Sequence, residues 1–271
     1  MSAPFAAAEV AITFFPDFAA ATKREASLTL HDLAQLITAT SAPVKKAPPW
    51  LKLGRFGDTK TDNGSLRSNE NLQACTGIEA DYDGERVAFG DAVSILKEAG
   101  VSAIIYTSPS HAEAKPRWRV LCQFSEERSP EQRDLYMARL NGLFNGIFAR
   151  ESWTLSQSYY YGFVNGNPSH RAELIEGTPI DLLAELDAAA IGRPKKPGAN
   201  GHANERPTGS GGDSYAGTSD ARLEGFRMAV LDTLRHSAVE GQKHHALRSA
   251  ALALGGIQAA AGFSDAQAIQ A

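Results

Sequence analysis

Cysteine is scarce in this chain: 271 residues contain two, Cys75 and Cys122. Each lies in an apolar stretch and neither has the spacing of a zinc site, which excludes a disulfide framework and points to a reducing cytoplasm. Long hydrophobic runs are missing too. None approaches the ~20 residues that cross a bilayer, so no membrane partner is expected. The first residues, MSAPFAAAEVAITFFPDF, lack a basic leader and have acids close by, unlike a secretory signal. There is no Walker-type GxxxxGK[ST], hence no P-loop motor within these residues. Nor is there an excess of positive charge. The formal net charge of −4 argues against a protein that coats nucleic acid over its whole surface. No internal repeat occurs.

What is present is an ordinary globular composition, 43% hydrophobic and 21% charged. Apolar patterning predicts strands over 10–15, 75–82, 101–107, 118–124, 159–164 and 172–175. Helices are expected over 29–40, with Thr29 as cap, over 88–99, ended by Gly100, over 129–148, opened by Ser129-Pro130, and over 179–190. Strands and helices mix through residues 1–190, which indicates an α+β domain. Residues 191–218 are rich in Gly, Pro, Ser and Asn and read as a flexible linker. Helical periodicity returns in 219–271, a small all-α unit. Its last helix, capped at Ser264, is cut after about two turns, so the chain is expected to be part of a longer protein.

One segment offers a local basic groove. Residues 45–67 hold Lys45, Lys46, Lys52, Arg55, Lys60 and Arg67 against Asp58 and Asp62, an excess of four positive charges, with Trp50 and Phe56 interleaved. Such a patch can track a phosphate backbone. A solvated loop reads equally well.

The sharpest chemistry is in GIEADYDGE, residues 77–85. On a strand, Glu79, Asp81 and Asp83 share one face and Ile78, Ala80 and Tyr82 the other. Three carboxylates on one face repel, and a cation beside them relieves the repulsion. Paired divalent ions roughly 3.5–4 Å apart are the arrangement used for nucleotidyl transfer, and oxygen-only ligands suit Mg²⁺ or Mn²⁺. Taken alone, a DxD is more often a solvated acidic turn. Residues 104–121 follow as strand, loop and strand. Ser108, Ser110 and His111 lie in the loop, and Arg117 and Arg119 share a face of the second strand. Hydroxyls, an imidazole and guanidinium forks are the groups that hold a triphosphate. Glu151 is a candidate third acid. Gln157, Ser158 and Tyr159-Tyr160-Tyr161 offer stacking surface for a base or sugar, although core positions are the default for tyrosines in a strand.

These three blocks, IEADYDGE, then TSPSH with PRWRV, then ESWTLSQSYYYG, resemble in their order the archaeo-eukaryotic primase superfamily, and within it the primase-polymerase domains of plasmid and phage replication proteins. The resemblance spans residues 53–175. It implies a catalytic core on an RRM-like sheet and template-directed nucleotidyl transfer. It also implies metal binding at Asp81 and Asp83 and a phosphate contact from His111, with Arg119 at the family's basic position on the following strand. The third block departs from the family, which usually has an aspartate there; Glu151 is the nearest acid here, and Glu79 is an alternative ligand. The tail is similar to small helical domains that follow primase cores, beyond which a helicase or other ATPase region often lies.

The expectation is therefore a DNA primase or polymerase that joins nucleoside triphosphates on a single-stranded DNA template with Mg²⁺ or Mn²⁺. The main competitor is a non-catalytic replication-initiation module that keeps the fold. A strand-nicking tyrosine among 159–161 ranks below both, since that chemistry wants paired histidines and only His111 is read as lying in the core region.

Overall fold

Every residue of the first strand, β1 (Val10–Phe15), is buried. A run without polar alternation belongs in the middle of a sheet covered on both faces. The computed structural model, which describes residues 8–193, places it there. The further elements are β2 (Arg24–Leu28), α1 (Leu30–Ala39), β3 (Ser41–Ala42), β4 (Trp50–Phe56), β5 (Leu72–Tyr82), α2 (Phe89–Glu98), β6 (Ala103–Thr107), β7 (Trp118–Arg128), α3 (Arg133–Leu143), β8 (Tyr159–Tyr160), β9 (Phe163–Val164) and β10 (Ala172–Ile175). Seven strands line up as β10-β6-β7-β5-β4-β1-β2, with β8 paired to β4, and all these pairings are antiparallel. β3 and β9 form a separate parallel pair.

Apolar side chains on alternate faces make two cores. One joins Ile78, Ala80 and Tyr82 of β5 and Trp118, Val120 and Cys122 of β7 to α2 and α3. The other joins Leu53, Ile104, Tyr106 and Leu121 to Leu30, Leu33 and Ile37 of α1. The chain is thus α+β, with helices on both sides of a curled antiparallel sheet. Among the described residues no helix is long and apolar enough to cross a membrane.

Local chemistry explains the helix ends. Thr29 Oγ1 accepts the Asp32 N–H at 3.1 Å, capping α1 as the sequence suggests. The helix expected over 129–148 is shorter. It begins as a 3₁₀ turn at Pro130–Gln132, boxed by Ser129 and Gln132, and ends after Leu143, where Asn145 and Gly146 take positive φ of 52° and 79°. The helix expected over 179–190 is instead two 3₁₀ segments, Ile180–Leu182 and Ala184–Ala189. Arg139 Nη1 binds the Ile180 and Asp181 carbonyls at 3.0 and 2.9 Å, so those acceptors are lost to an α-helical ladder.

Within the basic segment 45–67, residues 50–56 are a strand, and the rest is turn and loop. In β4 only Arg55 is half-exposed; its six neighbours are buried. Lysine and arginine interrupted the apolar pattern and hid it. β4 changes partners along its length. Its end pairs with β5 (Gly54↔Cys75), while Leu51 and Trp50 pair with Tyr159 and Tyr160 of β8. Strands β4 and β5 therefore splay apart just before the carboxylates. The linker and helical tail expected over 191–218 and 219–271 lie, from residue 194 onward, outside the described residues.

Candidate active site

Glu79 sits where β4 and β5 part. Its Oε1 accepts the Leu53 N–H at 2.6 Å, a backbone donor left without a strand partner by the splay. Its Oε2 takes Lys52 Nζ at 2.6 Å and Arg133 Nη2 at 3.1 Å, and all three side chains are fully buried. Burial, seconded by Arg133, pushes the Lys52 ammonium below its usual pKa, against the pull of Glu79. Two sequence expectations are corrected here. Glu79 is committed to an internal ion cluster and is not presented to a metal, and Lys52 is too deep to touch nucleic acid.

Two residues further along β5 the same face opens. Asp81 lies directly across from Arg119 of β7, which lies across from Tyr106 of β6. Arg119 Nε donates to Asp81 Oδ1 at 2.5 Å, and Arg119 Nη1 and the Tyr106 hydroxyl both donate to the Tyr160 carbonyl at 2.9 Å. The guanidinium also lies 5.1 Å from the Tyr159 ring centre. Burial opposes its charge, but Asp81 and its tyrosine neighbours outweigh that, and the Arg119 pKa rises above the ordinary arginine value. Arg119, expected at the phosphates, is thus turned inward onto a carboxylate. Asp81 is further held by its N–H to Ser152 Oγ at 3.0 Å, and Ser152 also accepts the Tyr159 hydroxyl at 3.1 Å. The Asp81 carbonyl accepts the Ala149 N–H at 3.0 Å. In this way the third sequence block is folded against the first.

Beyond the end of β5, Asp83 is exposed. Among the described residues its two carboxylate oxygens and Asp81 Oδ2 accept no hydrogen bond. Arg117, ahead of β7, pairs with Glu85, whose carboxyl it holds below the usual range, and Lys115 lies 3.6 Å from the same carboxylate. The Arg117 N–H donates to His111 Nδ1 at 3.1 Å, and the Ser108 N–H donates to the Arg117 carbonyl at 3.0 Å. His111 and Ser108 are buried and Ser110 is half-buried, close behind the carboxylate end of the sheet. Because Nδ1 accepts a hydrogen bond, Nε2 carries the proton of the neutral ring. That Nε2 is buried and meets no acceptor among the described residues. Burial lowers the His111 pKa.

Sequence reasoning missed His170. It stacks on Phe163 with ring centres 4.8 Å apart, and its Nδ1 lies 3.2 Å from Thr107 Oγ1. Its pKa falls through burial, against the opposing pull of the Ile37 backbone and with a further push from His111. It lies in a loop 59 positions after His111 (170 less 111), without motif or periodicity to mark it. Glu151 is exposed in the 3₁₀ turn Arg150–Trp153, and among the described residues no three His, Cys, Asp or Glu side chains converge. Lys45, Lys46 and Lys60 are exposed. Arg55 is paired with Glu127 at 2.6 Å, and Arg67 lies over the Trp50 and Phe18 rings. The six bases therefore do not form one groove. Gln157 and Ser158 engage each other and Ser156.

No family model matches this chain, and no curated protein does. Among solved structures, the AEP domain of the cyanophage S-2L primase-polymerase (PrimPol) is similar at a TM-score of 0.37, with 12% sequence identity, over 67% of this chain and 89% of that one.

Proposed function

We propose that this chain is a metal-dependent nucleotidyltransferase acting on DNA, of the primase-polymerase kind. The observation that carries the reading is the open end of β5, where Asp81 is pinned by Arg119 and Asp83 stands free, while Arg117, tied to His111 through its N–H, reaches Glu85 two residues further on. Carboxylate oxygens without hydrogen-bond donors are hard ligands, and Asp81 and Asp83 fit Mg²⁺ or Mn²⁺, with Glu151 as a third candidate. Such ions neutralise a triphosphate and make a 3′-hydroxyl easier to deprotonate.

The chain's own residues supply the rest. Arg119 and Ser152 fix the Asp81 side chain and backbone, so that the carboxylate needs no reorganisation during reaction. His111 Nε2–H, lacking an internal acceptor, is free to donate to a phosphate oxygen. Arg117 can leave Glu85 for the β- or γ-phosphate, exchanging one anionic partner for another. The 3′-oxygen attacks the α-phosphorus of the incoming nucleotide and pyrophosphate leaves in line. An unpaired DNA strand serves as template.

A second reading, a non-catalytic DNA-binding module of replication initiation, is favoured by the absence of a third converging acid among the described residues. Nucleotide incorporation on primed and unprimed single-stranded templates, with Mg²⁺ or Mn²⁺, separates the two. Metal-dependent extension that Asp83→Asn abolishes supports the enzyme. A folded wild type that incorporates nothing on any template supports the binding module.

A further inference from the structure

Phe18 is held out in solvent by a loop that is itself tied down. The side chain is 71% exposed. Asp17 Oδ1 accepts the Ala20 N–H at 3.1 Å, the Ala20 carbonyl accepts the Leu66 N–H at 2.9 Å, and Arg67 Nη2 donates to the Phe18 carbonyl at 3.2 Å. Single exposed apolar residues are common, but this one heads a chain of tilted aromatic contacts. The Phe18 and Trp50 ring centres are 5.8 Å apart, and the Arg67 guanidinium lies 5.1 Å from the first and 4.6 Å from the second. Trp50 in turn lies 4.1 Å from Tyr160, its cross-strand partner. The Tyr160 carbonyl is the acceptor shared by Arg119 and Tyr106. Aromatic faces therefore run from the surface to the residue that clamps Asp81.

Two further facts point to a ligand. Arg67 makes no ion pair among the described residues, so its charge is uncompensated at a half-buried position. The Trp50 indole N–H is buried, on a residue only 7% exposed, and has no acceptor among the described residues. A partner with flat π faces and negative charge answers the exposed Phe18 ring and the unpaired Arg67 guanidinium. Unpaired nucleic acid has these features at every nucleotide, whereas a duplex hides its faces.

We propose that Phe18, Arg67 and Trp50 form a docking platform for single-stranded DNA, with a base stacked on the outer face of Phe18 and Arg67 taking the adjoining phosphate. The platform rests on the nucleotidyltransferase reading only for its direction, a strand led by way of Trp50 and Tyr160 toward Asp81. Exchange of water for a base across Phe18 covers an exposed ring. The Arg67 charge gains a counter-ion and releases a cation from the strand.

The test is binding of a fluorescein-labelled oligothymidylate to the full chain, followed by anisotropy without metal or nucleotide and by quenching of tryptophan emission. Wild type binds with quenching. Phe18→Ala weakens binding about ten-fold, the loss of one stacked base, while Phe18→Tyr retains it. Arg67→Ala weakens binding and flattens its salt dependence by roughly one counter-ion. Phe18 touches little of the core, so the thermal midpoint of Phe18→Ala stays at the wild-type value. The proposal is overturned if Phe18→Ala binds like wild type, if Phe18→Tyr is as weak as Phe18→Ala, or if unlabelled duplex competes as well as the single strand. Because the assay contains neither metal nor nucleotide, a failure of incorporation leaves this result intact. Conversely, a wild-type-like Phe18→Ala leaves the assignment of Asp81 and Asp83 untouched.

Discussion

Arg119 Nε and Asp81 Oδ1 meet at 2.5 Å across the β5–β7 ladder, with the two side chains 11% and 19% exposed. A charge pair this sheltered is costly to break on one side only. Removing Asp81 as Asp81→Ala leaves a guanidinium facing Tyr106 and Tyr159 without its anion, and about 1–3 kcal/mol of stability is lost in denaturant unfolding. Asp81→Asn keeps an acceptor for Nε and loses less. Incorporation nevertheless falls by about two orders of magnitude or more in Asp81→Asn, because an amide is a poor ligand for a hard cation. A fully active Asp81→Asn would refute the role of this carboxylate.

Glu79, inside β5, and Asp83, one residue past its end, should behave oppositely. Glu79→Ala strands Lys52 and Arg133 as buried charges and costs about 3–5 kcal/mol. The paired change Lys52→Met with Glu79→Gln recovers part of that loss. Asp83→Asn, at an exposed position, leaves the melting temperature within about 2 °C of wild type and removes incorporation. Thermal unfolding and primer extension on the same samples make the comparison. Equal loss of stability in both variants contradicts the structural assignment of Glu79.

Buried His111 and half-buried His170 predict an acid-side loss of stability. Burial holds both below the ordinary imidazole value of 6.5. Between 6.5 and their lowered values the unfolded chain binds more protons than the folded one, so stability is present above pH 6.5 and is lost as pH falls through the folded values. In His170→Asn the fall of the unfolding free energy between pH 7 and 5 is shallower than in wild type. An unchanged slope counts against the buried, neutral state of this ring.

Gly162 links β8 to β9 at φ 87°, and a β-carbon there would lie 2.4 Å from the Thr40 carbonyl. Gly162→Ala therefore strains the backbone and pushes against α1's end, at a cost of about 2 kcal/mol or more. Tyr159 and Tyr160 precede this turn and contact Arg119, so incorporation by the folded fraction drops as well. Urea midpoints and extension rates on one preparation report both effects.

How much of this was legible can be judged from particular residues. β1 and β10 stand at their expected bounds because their apolar composition leaves few alternatives. Thr29 marked the start of α1 through a hydrogen bond that its own side chain makes. β4 was missed because Lys52 and Arg55 read as solvated charge, and nothing local reveals that a buried carboxylate 27 residues later neutralises Lys52. His170 and Phe18 were invisible for a related reason: a lone imidazole and a lone phenyl acquire meaning only from what folds against them.

The sequence by itself determined strands β1, β5, β6, β7 and β10, the alternation that sets Glu79 and Asp81 on one face of β5, and the strand–loop–strand order that follows. These are consequences of backbone geometry and hydrophobic patterning, which act over a few residues. Only the tertiary structure decided which charges are spent. It turned Glu79 and Arg119 inward onto partners and left Asp83 free. It also brought Phe18, Arg67, Trp50 and Tyr160 together from four separate stretches of chain. Such assignments depend on long-range register and on the cost of burying an unpaired charge, and the pattern of a single strand encodes neither.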